Sequence, residues 1–344
     1  MKHGVSVLSL LLSIPLPVQG RNSMGEISNT MNHFFEDNRR FADLFNGACF
    51  KGRSIVSPEE LMEMSEVYHQ PEAEKPKTGQ RRNRIERIRD VCKVLKTGEV
   101  LRILAMENQD YVDYTMPFRC MQYDTMEYGK QLDRLRKQNR QEKKLIGKTE
   151  QLCGIRKTDR LVPVYTLCLY HGVEKWDGPR SLRDMMRFEK GDDFQELFGD
   201  YPFRLYCLNE IKDLGVFHTE VRSLFRVLQF QEDREALRQM LQEDEEYRQL
   251  DADTLEVMAV VLDMPKLWEN RRQYLIDKKE EYAMCKAMRE WAAEERRLGR
   301  EEGREEGLFT VVKNLLSRGM SDMDIIAIAE CDHEFVVKVR ESCV

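Results

Sequence analysis

The stretch Asp90-Val91-Cys92-Lys93-Val94-Leu95-Lys96-Thr97-Gly98-Glu99-Val100-Leu101-Arg102-Ile103-Leu104-Ala105-Met106-Glu107-Asn108-Gln109 decides how this chain is read. Asp90 to Leu95 carries strand-forming residues, Lys96 to Glu99 supplies a turn, and Val100 to Glu107 returns as an apolar run. Residues i and i+2 of a strand share a face, so Glu107 and Gln109 project together while Met106 and Asn108 face away. Folded about Thr97-Gly98, the hairpin brings Asp90 to the same end as Glu107. Two carboxylates at the edge of a buried sheet are hard oxygen ligands of the kind Mg²⁺ takes, since that ion binds through one or two carboxylates and keeps several waters. A charged side chain at the end of a buried strand is costly unless it is paired or used. Gln109, on the same face, offers a neutral amide that orients water or phosphate but brings no positive charge. Lys93 and Arg119 are the candidates for that charge. Taken alone, an Asp, sixteen residues, then Glu-x-Gln is a common pattern, and a solvated Asp beside a strand-end Glu is its plain alternative.

Upstream, Asn29 to Lys51 places Phe34, Phe41, Leu44, Phe45 and Ala48 at helical spacing. Gly52 breaks the pattern, Ser57-Pro58-Glu59-Glu60 marks a new helix start, and Pro71 to Gln80 reads as a loop. Downstream, Met116 to Leu145 reads as one long helix with Met121, Met126, Leu132 and Leu135 on its apolar side. Leu161 to Tyr170 is a continuous β-rich run suited to the middle of a sheet, closed by His171-Gly172. Trp176-Asp177-Gly178-Pro179 turns into a helix from Ser181, and Phe203 to Leu208 is a further short strand. From Val216 to Arg297 the pattern is helical, broken at Pro265. Glu294 to Gly307 then repeats Gly299, Gly303 and Gly307 among Arg and Glu. Each Gly costs a helix about 1 kcal/mol relative to Ala, which predicts a weak helix or hinge. Leu308 to Val344 has the spacing of three short helices, either a DNA-reading helix-turn-helix or a hairpin that contacts protein.

The chain has 344 residues, 34% charged and 41% hydrophobic, with a net charge of −6. That length favours more than one folding unit. The charge is unevenly spread, with basic runs at Lys75 to Arg102 and Lys130 to Lys148 and acid concentrated at Glu232 to Glu256 and Glu294 to Glu306. A local basic patch, not the total, is what binds phosphate, although either run alone also suits a solvated face. Nine scattered cysteines without a CxxC pair fit neither a secreted disulfide framework nor a structural zinc site. They suit a reduced, cytoplasmic protein. Val5 to Leu16 resembles a short signal peptide, too short to span a bilayer. Met24 offers a second start, so residues 1–23 are read as a mis-assigned start or disordered extension.

Several stretches carry a more specific likeness. They are Arg40 to Gly52 (RFADLFNGACFKG), Arg89 to Lys93 (RDVCK), Ile103 to Asp124, Leu161 to Gly172 and Trp176 to Met185, together with the Arg/Glu/Gly repeat and Leu315 to Ile325. In that order they resemble the bacterial recombination-promoting nuclease (Rpn) group of PD-(D/E)xK nuclease family transposases. The resemblance covers most of residues 31–190 and the tail. It implies that Asp90 and Glu107 ligate Mg²⁺ and that Gln109 stands in for the usual Lys. It also implies that Arg119 and Tyr123, in the family's Pro-x-Arg-x-x-x-Tyr region, face phosphate. The helix carboxylate that this fold often carries would correspond to Asp43, whose plain alternative is a polar position on a core helix.

His171 is read as a turn residue, since six scattered His show no metal spacing. No GxGxxG, GxxxxGK[ST] or GxSxG motif occurs. The expected fold is α/β: a restriction-endonuclease-like PD-(D/E)xK core with a mixed central sheet flanked by helices, followed by an α-helical C-terminal region. The expected units are an N-terminal extension (1–30), the nuclease-like domain (31–215), a helical region (216–298) and a hinge with a helix-turn-helix-like tail (299–344). The expected activity is Mg²⁺-dependent endonucleolytic cleavage of DNA linked to recombination. A nuclease-derived module that binds DNA or protein without cutting is the alternative. DNA is the expected partner, with no membrane, no small-molecule cofactor, and self-association left open.

Overall fold

The computed structural model describes residues 24–64, 89–189, 191, 193–276 and 281–342. The expected N-terminal extension lies largely outside them, as do the loop at Pro71 to Gln80 and the start of the first basic run.

The first helical stretch is two helices, α1 (Met24–Phe34) and α2 (Asn38–Phe50), where the sequence suggested one. Asp37 makes the break: its extended backbone leaves the helix, and its carboxylate caps α2 by accepting from the amides of Arg39 and Arg40. Pro58–Glu60 is a single 3₁₀ turn, and instead of the expected helix it leads into strand β1 (Leu61–Glu63). Strands β2 (Val91–Thr97) and β3 (Val100–Gln109) form the antiparallel hairpin, turning at Gly98 with φ +60°. Helix α3 (Met116–Gln141) follows, then α4 (Gly147–Cys153), β4 (Val164–Tyr170) and β5 (Arg204–Cys207). The sheet order is β1-β2-β3-β4-β5, antiparallel up to β3 and parallel beyond it. The strand that ends in Glu107 and Gln109 is therefore central. The expected helix from Ser181 is only a 3₁₀ turn, Arg183–Met185.

Beyond residue 216 come α5 (Glu220–Gln229), α6 (Arg234–Glu243), α7 (Ala252–Val261) and α8 (Pro265–Glu269). They belong to the main body: Phe41, Leu104, Met106, Phe225, Leu255 and Met284 share one buried apolar cluster. Burial of this kind supplies most of the stabilisation of a fold, at about 25 cal/mol per Å² of apolar surface. Helix α9 (Met284–Ser317) runs unbroken through Gly299, Gly303 and Gly307, so of the two expected forms the repeat takes the helical one. The end of α9, α10 (Asp322–Ala329) and α11 (His333–Glu341) gather round a separate small core of Val312, Ile325, Val336 and Val339. Among the described residues no helix is long and apolar enough to cross a membrane.

Candidate active site

Alternation along β3 assigns each side chain to a face. Ile103 packs with Val94 and Val164 against Tyr128 of α3, while Leu104 and Met106 join the cluster shared with α1 and α2. Glu107 and Gln109 keep step with Ile103 and face α3, and Asn108 takes the α1 side. Asp90 directly precedes β2, whose first residue Val91 stands opposite Met106, so Asp90 falls opposite Glu107. Its Oδ2 accepts from the Asn108 amide at 2.7 Å and its Oδ1 from Asn32 Nδ2 at 3.2 Å. The hairpin thus brings the two carboxylates together.

Glu107 is only 2% exposed, and its Oε1 has no hydrogen-bond partner. Burial, and then the charge of Asp90, push its carboxyl up to about 8, against the pull of Arg89 and Arg119. Asp90 is also raised, chiefly by burial, and is held back by the Asn108 amide, Asn32 and Arg119.

Two guanidinium groups act on the pair. Arg119 donates to Asp113 Oδ2 at 2.5 Å and to Tyr123 Oη at 3.3 Å. Arg89, to which the sequence reading gave no role beyond the basic run, donates to Thr166 Oγ1 at 2.5 Å and pairs with Asp124. Asp124 also accepts from Thr166 at 2.6 Å and Tyr201 at 2.5 Å, so its oxygens are taken. The Tyr123 ring lies near both guanidiniums, its centroid 5.8 Å from Arg119 and 6.0 Å from Arg89. The one clue in sequence to Arg89 was its place next to Asp90. Nothing in sequence pointed to Asp124, Thr166 or Tyr201. The expected apolar side of α3 through Met121, Met126, Leu132 and Leu135 is half-buried instead; the buried positions include Met116, Cys120, Asp124, Glu127 and Gln131.

Two expected residues stand elsewhere. Lys93 pairs with Leu104 and so lies on the α1–α2 face, buried, with its ammonium donating to Glu36 O at 2.7 Å and Glu63 Oε1 at 2.6 Å. It supplies no charge beside Glu107. Asp43 is buried and accepts from the amides of His218 and Thr219 and from the Thr219 hydroxyl, which anchors the start of α5. Its role is structural. His171 is buried, with its ring held down to about 4 by burial, and its amide donates to Gln109 O at 3.0 Å, fixing the end of β3.

The donor set suits a hard divalent cation. The Asp90 carboxylate has lone pairs beyond its two hydrogen bonds, and Glu107 Oε1 is unpartnered. Among the described residues no three or more His, Cys, Asp or Glu gather as a metal site, and a divalent ion on this pair would need waters for the rest of its shell.

The Glu107 shift has a testable sign. An unfolded Glu titrates near 4.3, so between there and about 8 the folded chain binds the extra proton. Without metal, its contribution to stability is therefore full below the unfolded value and is lost as pH rises through about 8. Glu107→Gln should flatten that dependence, whose slope approaches about 1.4 kcal/mol per pH unit for one group. Urea unfolding in EDTA at pH 5 and pH 8.5 measures it, and parallel profiles for the two proteins would refute it.

No family model, no curated protein and no solved structure matches the chain.

Proposed function

We propose that the chain is a Mg²⁺-dependent endonuclease that hydrolyses phosphodiester bonds of DNA on a PD-(D/E)xK-type core, in keeping with the resemblance to recombination-promoting nucleases. The observation that carries the reading is the meeting of Asp90 and Glu107 at the end of the central strand, with a buried, unpartnered Glu107 oxygen beside two guanidiniums. Mg²⁺ bound there lowers the pKa of its water and neutralises charge that builds on the phosphodiester. Asp90 and Glu107 hold the ion. Arg119, whose guanidinium has five N–H donors and spends few of them on Asp113 and Tyr123, supplies the positive charge that Gln109 lacks. Exposed Lys137, Arg140, Lys143 and Lys148 give the end of α3, the turn after it and the start of α4 a basic surface for the DNA backbone. Incubation of the full chain with plasmid DNA tests the proposal. Nicking or linearisation is expected with Mg²⁺ and not with EDTA, and intact plasmid under both conditions would overturn it.

Gln109 gives a sharper prediction. It is buried on the Glu107 face, and its amide offers one acceptor and two donors. Gln109→Ala should slow cleavage by about 10²-fold, the loss typical of removing one positioned donor, while Mg²⁺ binding changes little. Gln109→Lys should keep measurable activity. Single-turnover cleavage of a labelled duplex at saturating Mg²⁺ compares the three proteins. If Gln109→Ala matches the wild type, Gln109 has no part in the chemistry.

A further inference from the structure

Tyr111 to Phe118 carries the chain from the Gln109 end of β3 into the first turn of α3, one residue short of Arg119. Some of its side chains fix the segment to the protein. Met116 is fully buried, and Val112 packs against the same small cluster, which holds Trp176. Asp113 accepts from the Thr115 amide at 2.8 Å, the Thr115 hydroxyl at 2.6 Å and Arg119 at 2.5 Å. Three rings are left outside: Tyr111 is 52% exposed, Tyr114 58% and Phe118 45%. Among the described side chains only two other aromatic residues, Phe194 and Phe230, are exposed. No ring or cation among the described side chains stacks on any of the three.

Aromatic side chains gain by burial, so three open rings in eight residues mark a surface that something flat and apolar covers. The neighbouring site indicates what that is. Arg119 and the Asp90–Glu107 pair are read as meeting a phosphodiester, and the flat groups that travel with a DNA phosphate are its bases. Hydroxyl contacts to phosphate do not account for the set. Phe118 has no hydroxyl, and that of Tyr114 donates to the Asp177 carboxylate at 3.1 Å. The same bond holds the Tyr114 ring, which lowers the cost of ordering it on binding. In a duplex the base faces are closed against one another, whereas an unpaired base offers its face to a protein ring. We propose that Tyr111, Tyr114 and Phe118 are stacking platforms for unpaired bases, and that the preferred substrate is DNA unpaired beside the scissile phosphate. Single strands and locally melted stretches of supercoiled plasmid both meet that condition. Stacking accepts any base, so the preference is for strand state and not for sequence. This inference rests on the reading of the Asp90–Glu107 site as a DNA nuclease.

The test is equilibrium binding of short labelled DNAs to the full chain, with Ca²⁺ in place of Mg²⁺ and the strands checked for cutting. Three probes of one length are compared: a single strand, its duplex, and a single strand with abasic sites in place of its nucleosides. The single strand should bind about 10-fold or more tighter than the abasic strand, since each stacked base contributes a factor of about 5 to 150. It should also bind tighter than the duplex. Tyr111→Ala, Tyr114→Ala and Phe118→Ala should each weaken single-strand binding about 5-fold or more and lower its advantage over duplex. Tyr111→Phe, which keeps the ring, should bind as the wild type does. An abasic strand held as tightly as the intact one would overturn the proposal without recourse to any variant. Alanine variants that all bind the single strand like the wild type would also overturn it, and would return the rings to a protein-contacting surface. A wild type that nicks plasmid with Mg²⁺ but shows no preference for the unpaired strand sinks this inference alone. A wild type that binds none of the probes and leaves plasmid intact sinks the nuclease reading with it.

Discussion

Asp90→Ala and Glu107→Ala should each slow DNA cleavage by about 10³-fold or more, because in the proposed function each would remove a direct hold on the ion and the several kcal/mol of charge stabilisation it would bring. The two differ in what they do to the fold. Asp90 accepts from Asn32 and from the Asn108 amide, so its removal frees two donors and costs about 1–2 kcal/mol. Glu107 has an orphan oxygen and a carboxyl that burial pushes up to about 8, so its removal relieves the metal-free protein at alkaline pH. Single-turnover cleavage and urea unfolding on both variants separate the effects. A variant that cleaves at the wild-type rate would remove that residue from the site.

The second large effect lies in the core. Arg40 is 2% exposed, and it reaches Asp251 at 2.5 Å, Asp253 at 3.1 Å and Glu220 at 3.6 Å. Its guanidinium also stacks 4.4 Å from the Phe34 ring. One side chain on α2 thereby holds the starts of α5 and α7. Arg40→Ala should cost about 3 kcal/mol, the low end for a broken buried pair, because Asp251 and Asp253 are 37% and 44% exposed and recover some hydration. Arg40→Lys should restore little, since a point charge cannot span three carboxylates. Urea midpoints read both, and an Arg40→Ala protein as stable as wild type would show the cluster to be decoration.

The strands were legible where alternation and turn chemistry agreed. Val91 to Thr97, Gly98 and Val100 to Gln109 read directly as a hairpin, and Leu161 to Tyr170 as an inner strand. The break at Asp37 was hidden because Phe34, Phe41 and Phe45 keep helical step across it, while the cap that ends the helix is one carboxylate. Strand β1 is three residues long, too short to show a period. The same alternation that placed Glu107 also places Lys93 on the other face, since positions 91, 93 and 95 pair with 106, 104 and 102, but the reading of Lys93 as the charge beside Gln109 did not apply it. The face of α3 was misjudged for the converse reason. Asp124, Glu127 and Gln131 are buried against the sheet, and polar residues at buried positions carry no apolar stripe to find. The nearness of Asp90 to Glu107 was readable from spacing. The contacts of Arg89 and Asn32 were not, since they arise only from chain segments that folding brings together.

Helix α9 is 34 residues long, about 50 Å of rise, and among its described side chains Arg297, Arg300 and Arg304 to Glu306 are exposed. Nothing lies within 4 Å of where a side chain on Gly299, Gly303 or Gly307 would sit, so no neighbour packs against the helix at these three positions. Three glycines make the helix about 1 kcal/mol weaker per position than alanine would. Opening this stretch therefore exposes almost no apolar surface and falls at the inexpensive end of the local free-energy scale. Its amides should exchange with deuterium well before those of β3. Heating should then melt the Val312–Ile325–Val336–Val339 bundle and the main body as two separate cooperative units, with the glycine repeat as the seam where a protease cuts first.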